Sequence, residues 1–283
     1  MIASLPLSRR FRWTYAAYVL IFFVYLAAPL LVVGVFAFND SRFPALPWQG
    51  FTLDWFIADG GGRTGLFHDR AILRSVGTSA LVASCVTLLS VSLATLNAFL
   101  FERHAFPGKN LLFILMLLPL VIPGVILGIS ILIFASRIAN YFDFNHDIML
   151  DMLRPGLLLV VLGQFAFLTT IATLVISARL RTFDTQLEEA ACNLGASPLT
   201  AIRTVTLPFL APAIIGAALV CFLMSFENFN TTLMLVGSDA PLTITLFSRL
   251  REGATPVLNA VSLLLMVGSM LLALISIRVQ KRA

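Results

Sequence analysis

The chain has 283 residues, 59% of them hydrophobic and only 12% charged, with a mean hydropathy of +0.96. Soluble globular chains run about 45–50% apolar and about 25% charged, so this one has too little charge to stay dissolved and belongs in a membrane. No Gly period or charge-rich heptad is present, which excludes collagen and coiled coil, and the hydrophobicity excludes disorder.

Six apolar spans follow in chain order, at about 15–38, 75–101, 111–135, 155–177, 209–236 and 256–277. Each is near the roughly 20 residues that a helix needs to cross a bilayer core. The spans predict an all-α, polytopic membrane protein of six transmembrane helices. Arg9, Arg10 and Arg12 precede the first span, which is too long for a signal-peptide core and is followed by no A-x-A cleavage site. It is expected to remain as an uncleaved helix facing lipid. With the N-terminus inside, the inner segments hold 11 Lys and Arg against four acids, and the outer segments eight Arg against nine acids. Basic residues near span ends stay in the cytoplasm, so both termini are expected there.

The outer segment 39–74 contains Pro44, Pro47, Trp48, Phe51, Trp55, Phe56 and Gly60-Gly61-Gly62. Its aromatics are expected to anchor at the membrane interface. In the second span, 13 of the 24 positions from 75 to 98 are Gly, Ala, Ser or Thr. Small residues allow close helix approach in lipid, which places this span at the crowded centre of a bundle. The third span is broken by Pro119, Pro123, Gly124 and Gly128. Such backbone is tolerated at membrane depth only beside protein or a wet cavity, so these residues either make a packing kink or line a pathway.

Between the fourth and fifth spans, residues 179–208 predict two short cytoplasmic helices. Thr185 and Glu188 have capping-box spacing, and Leu187, Ala190, Ala191 and Leu194 share one helical face. Gly195 suits the helix stop, and Ser197-Pro198 suits the next start. A small apolar face with no lipid to bury it needs a protein partner. A helix lying on the membrane fits less well, because the polar side is acidic.

Inside the fifth span stands Glu227, with Asn230, Thr231 and Met234 at i+3, i+4 and i+7. One helix face would then carry a polar stripe. An ionised acid at the bilayer centre costs about 2.5–3.5 kcal/mol on insertion scales, so Glu227 either lines a wet pathway or ties this helix to a neighbour.

Glu189-Ala190-Ala191, three residues, Gly195, nine residues, then Val205-Thr206-Leu207-Pro208 resembles the EAA loop of binding-protein-dependent ABC importer permeases. Val205 stands where the family pattern has Ile. The resemblance covers 75–277, with 1–74 as a variable first helix and periplasmic loop and 278–283 as a cytoplasmic tail. Phe38-Asn39-Asp40-Ser41-Arg42, Trp48-Gln49-Gly50-Phe51-Thr52, Trp55 and Gly253-Ala254-Thr255-Pro256-Val257-Leu258-Asn259-Ala260 are similar to second-subunit spermidine/putrescine permeases. Glu227-Asn228 departs from the two acids often found there, and related permeases carry opines, aminophosphonates and ferric ions.

The resemblance implies a permease subunit in the bacterial inner membrane that forms half of a solute pathway. It implies as partners a second permease subunit, two ATPase subunits and a periplasmic solute-binding protein, besides lipid. It assigns ATPase coupling to Glu188, Glu189, Ala190, Ala191, Leu194, Gly195, Leu207 and Pro208. Gly108-Lys109-Asn110 lacks the upstream Gly and the hydroxyl of a phosphate-binding loop, so ATP and Mg are expected on the partner ATPases and no cofactor or catalytic residue on this chain. Nucleic acid is no expected partner, because the +5 net charge flanks apolar runs instead of forming a patch. Cys85, Cys192 and Cys221 make no C-x-x-C pair, and His68, His104 and His146 lie in separate loops, so no metal site is expected. A gradient-driven transporter would show inverted repeats and intramembrane ion ligands. A membrane enzyme would need converging acids, His or Cys. Neither pattern is present.

Overall fold

The computed structural model describes residues 8–44, 46–60, 62–253 and 255–281, with side chains throughout except at 275–277 and 279–281. Gly61, Ala254 and Arg282, which enter the readings above, lie outside the described residues. Among the described residues twelve α-helices follow in order: α1 Arg9–Phe36, α2 Asp54–Ile57, α3 Arg70–Arg103, α4 Lys109–Val121, α5 Gly124–His146, α6 Leu157–Leu180, α7 Gln186–Asn193, α8 Pro198–Ala201, α9 Leu207–Phe226, α10 Asn230–Leu235, α11 Leu242–Glu252 and α12 Pro256–Lys281. Strands β1 Asp59–Gly60 and β2 Arg63–Thr64 pair antiparallel. Six helical stretches among the described residues are long and apolar enough to cross a membrane: Arg9–Phe36, Arg70–Arg103, Gly124–His146, Leu157–Leu180, Pro198–Phe226 and Pro256–Leu274.

The chain forms two compact units, one of Met1–Asp69 with Arg249–Val267, the other of Arg70–Ser248 with Gly268–Ala283. In the first, the Ser8 hydroxyl caps α1 by accepting from the Phe11 N–H at 3.2 Å, and no residue of α1 is buried. After α1 the backbone folds back through an Asn39–Phe51 bridge. Buried Asn39 accepts from the Gln49 N–H at 2.9 Å through Oδ1 and from the Trp55 indole N–H at 2.8 Å through its carbonyl. Arg63 lies 4.9 Å over the Trp55 ring and pairs with Asp40 and Asp54. The hydrogen bond to Asp40 holds the guanidinium above its ordinary value. Trp55 and Phe56 are therefore core residues of this unit, not the interface anchors expected of them. Phe43, Trp48 and Phe51 remain exposed.

In the second unit, buried side chains of α3, α6 and α9 form one apolar core, including Val82, Val86, Leu168, Ile176 and Leu210. The small face of α3 is buried as its composition dictates, through Ser75, Ser79, Ala83, Ser90, Ala94 and Ala98. The most enclosed helix is nevertheless α6, with 56% of its apolar window buried against 33% for α3. An all-round apolar helix suits such enclosure, and α6 keeps Gly163, Thr169, Thr170 and Thr173 where neighbours approach.

Two spans and one short helix differ from their expected form. The third is two helices, because Ile122 and Pro123 are extended and α5 starts afresh at Gly124, running on to His146. The second short helix after Gly195 does not end. It runs from α8 through a π-helical turn at Ile202–Thr206 into α9. The Leu207 N–H bonds to the Ile202 carbonyl, five residues back. A wider turn relieves the clash that a Pro ring makes with the carbonyl four residues earlier, so Pro208 sits at the head of α9 without breaking it. The fifth span does break, between Phe226 and Asn230.

At Gly237 a Cβ would lie 2.5 Å from the Pro155 carbonyl oxygen, which is backbone and cannot swing aside. Gly237→Ala is expected to lower the melting temperature of the detergent-solubilised protein through an overpacking cost of about 1–3 kcal/mol. Gly77→Ala, where a Cβ meets nothing within 4 Å, should leave it unchanged.

Candidate pathway and coupling loop

The break in the fifth span removes the single polar stripe expected from Glu227, Asn230, Thr231 and Met234. Glu227 is the residue that ends α9, with φ −93° and ψ 3°, while the other three belong to α10. Glu227 and Asn230 are exposed, Met234 is half-buried, and Thr231 is buried at 1% exposure. Among the described residues no hydrogen bond or ion pair reaches the Glu227 carboxylate.

Four side chains hold the break. The Ser225 hydroxyl donates to Gln164 Oε1, Gln164 Nε2 donates to Thr232 Oγ1 at 2.9 Å, and the Thr232 hydroxyl donates to Asn228 Oδ1 at 3.0 Å. Asn228 Oδ1 also accepts from the Thr232 N–H at 3.3 Å, and the Asn228 carbonyl accepts from the Thr243 hydroxyl at 3.0 Å. The buried Gln164 amide is thus bonded through both its oxygen and its nitrogen, the condition under which buried polar groups stabilise.

Glycines admit α10 to this position. A Cβ on Gly128 would stand 2.9 Å from Met234 Cβ and 3.0 Å from the Thr231 carbonyl. On Gly163 it would stand 3.2 Å from Thr231 Cγ2, and on Gly124 3.1 Å from Thr231 Oγ1 and 3.2 Å from Asn230 Cβ. The structure thus brings Gly124 of the third-span break against α10. Pro119 stays inside α4, and exposed Pro123 is the residue before α5. Gln164, Ser225, Asn228 and Thr232 escaped the sequence reading. The available signal was Gln164 itself, a polar amide within an otherwise apolar 155–177 span, a placement that marks function or a buried partner.

In the candidate coupling loop, α7 ends at Asn193 with Leu194 as its C-cap, and Gly195 takes φ +93°, the left-handed stop expected there. The Ser197 hydroxyl accepts from the Thr200 N–H at 3.2 Å, with Pro198 in the first turn of α8. The capping box does not form, since Thr185 has helical dihedrals and its side chain caps nothing. Its intended partner Glu188 instead accepts from Arg103 at 3.1 Å and from the Thr206 hydroxyl. Asp184 accepts from the Gln186 N–H at 3.0 Å. Leu187 is 51% exposed and Leu194 90%. Glu189, Ala190 and Pro208 are exposed, and Ala191 and Leu207 half-buried.

Residues 90–282 match the protein family described as "Binding-protein-dependent transport system inner membrane component". The chain belongs to this family. It is similar to the putrescine transport system permease PotI of Escherichia coli K12, with 32% identity over 86% of this chain and 82% of PotI. The spermidine/putrescine permease PotC of Haemophilus influenzae is 25% identical over 92% of this chain and 93% of PotC. The sulfate permease CysT of Salmonella typhimurium is 29% identical over 66% of this chain and 72% of CysT. The same fold occurs in a bacterial ABC transporter that imports the acidic polysaccharide alginate, at a TM-score of 0.71, 17% identity and coverage of 95% and 96% of the two chains. The chain is thus a permease subunit of an ABC importer and a multi-pass protein of the bacterial inner membrane. It is a transport subunit and not an enzyme.

Gln164→Leu would leave the buried Ser225 hydroxyl without its acceptor, at a cost of about 1–3 kcal/mol, while Thr232 keeps only its bond to Asn228. A lower melting temperature and reduced uptake are expected. Leu162→Ile, on an exposed part of the same helix, should change neither.

Proposed function

We propose that the solute is a small organic cation of the polyamine type and that the break between α9 and α10 is where this chain meets it. The observation that carries this reading is the exposed, unpaired Glu227 carboxylate at the C-terminal end of α9. A helix C-terminus carries about half a negative elementary charge, so carboxylate and helix end attract the same ammonium group. The names of PotI and PotC, putrescine and spermidine/putrescine permeases, support this solute class. Asn230 stands exposed beside the acid at the start of α10 as a further polar group for the solute.

The chain pairs with a second permease subunit to enclose the pathway, and a periplasmic binding protein delivers the solute. The related alginate transporter was solved with such a protein bound. Two ATPase subunits, which carry ATP and Mg, dock on α7 through Leu187, Glu189, Ala190, Ala191 and Leu194. Gly195 sets the exit of the chain, and Leu207 and Pro208 pass the movement into α9. Closure of the ATPases moves α7 and rocks the bundle between its outward and inward openings.

Glu227→Gln keeps shape and hydrogen bonding while removing the charge. In proteoliposomes holding the assembled complex, putrescine uptake is expected to fall at least about tenfold, the size of a lost charge-assisted hydrogen bond. Unchanged uptake would overturn the role of the acid. On the coupling side, Leu194→Glu places a charge on a side chain that touches little of its own chain. It should leave the abundance of the permease intact and remove the ATPase from the purified complex.

A further inference from the structure

We propose that Glu188 acts as a latch, a positioning residue through which movement of α7 reaches the membrane-spanning helices, with Arg103 and Thr206 as its two anchors. This inference rests on the reading of α7 as the ATPase-docking helix.

The carboxylate of Glu188 faces its own chain. Its Oε1 accepts from Arg103 Nη2 at 3.1 Å and from the hydroxyl of Thr206. The side chains of Glu188 and Arg103 are only 23% and 21% exposed, and Thr206 is fully buried. The rest of α7 contrasts with this, since Leu187, Glu189, Ala190 and Cys192 are exposed. One acid therefore ties α7 inward while its neighbours remain free for a partner.

The two anchors belong to the helices that build the core. Arg103 is the last residue of α3, and Thr206 is the last residue of the π-helical turn that leads into α9. Both ends are themselves fixed. The Arg103 guanidinium lies 5.4 Å from the Phe183 ring centre, Phe183 meets Phe209 edge-on at 5.1 Å, and Arg179 covers Phe209 at 4.0 Å. Arg181 and Glu102 pair at 2.9 Å alongside, which raises the Arg181 guanidinium above its ordinary value. A displacement of α7 consequently pulls on the end of α3 and on the widened turn of α9 together. The π-turn has the slack to respond, since a five-residue bond can revert to a four-residue one.

The test uses the complete importer, with binding protein and ATPase, in proteoliposomes. Glu188→Arg and Arg103→Glu are measured singly and combined, with Glu188→Gln as a milder variant that folds if the reversals do not. The ATPase should co-purify with every variant, because the docking face is untouched. ATP hydrolysed per putrescine imported is expected to rise at least about tenfold in each single reversal, as for loss of a hydrogen-bonded, part-buried charge pair. It should rise less in Glu188→Gln and return towards the parent value in the double reversal. An unchanged ratio in the assembled single variants, or no rescue in an assembled double, would overturn the latch. Loss of the ATPase from the Glu188 variants would also overturn it and place Glu188 in the docking surface. The docking reading fails separately, if Leu194→Glu retains the ATPase.

Discussion

Within a bilayer a backbone that leaves the helix must find partners for its amides and carbonyls inside the protein. That constraint shapes the second unit of this chain. The fifth span stops at Phe226 and restarts at Asn230; Asn228 Oδ1 accepts the Thr232 N–H, the Thr243 hydroxyl donates to the Asn228 carbonyl, and the side-chain relay from Ser225 through Gln164 and Thr232 holds Asn228 in place. Close approach of α10 to its neighbours follows from the same need, because Gln164 reaches Thr232 only if α10 packs tightly on α6. Gly163 allows that approach, as Gly124 and Gly128 allow it on α5. The glycines, the enclosed amide and the break form one device. Its exposed product is Glu227.

A second device organises the other end of α3, α6 and α9. Its materials are cations over aromatic rings, with a carboxylate closing the gap to α7. Cation–π contacts and half-buried ion pairs hold position without a large apolar area, which suits the proposed transmission of movement from α7. The widened turn at Ile202–Thr206 serves Pro208 and Glu188 at once: it accommodates the ring and presents the Thr206 hydroxyl to the acid.

Much of this was legible in the sequence wherever a local rule fixes the outcome. Six apolar runs give six membrane-length helices, although the boundaries of the third moved because Pro123 ends one helix and begins another. Gly195 and Ser197-Pro198 are local stop and start signals, and they act as such. Readings that depended on a distant partner went astray. Glu188 has capping-box spacing from Thr185, yet a guanidinium 85 residues away in sequence and a hydroxyl 18 residues on win the carboxylate. Trp55 has the composition of an interface anchor, yet the Asn39 carbonyl and the Arg63 cation draw it inward. The broken fifth span was hidden for a similar reason. Nothing between Phe226 and Asn230 is a helix breaker, and the break is stabilised by an amide some sixty residues earlier.

The central claim is that the unwound segment at Glu227 faces a water-filled solute route. Reactivity of a cysteine placed there tests it most directly, in a chain whose Cys85, Cys192 and Cys221 have been replaced. In the assembled importer, Glu227→Cys is predicted to react with a membrane-impermeant, positively charged thiosulfonate and to be protected by putrescine delivered by the binding protein. Reaction only with a lipid-soluble maleimide, untouched by putrescine, would contradict the account.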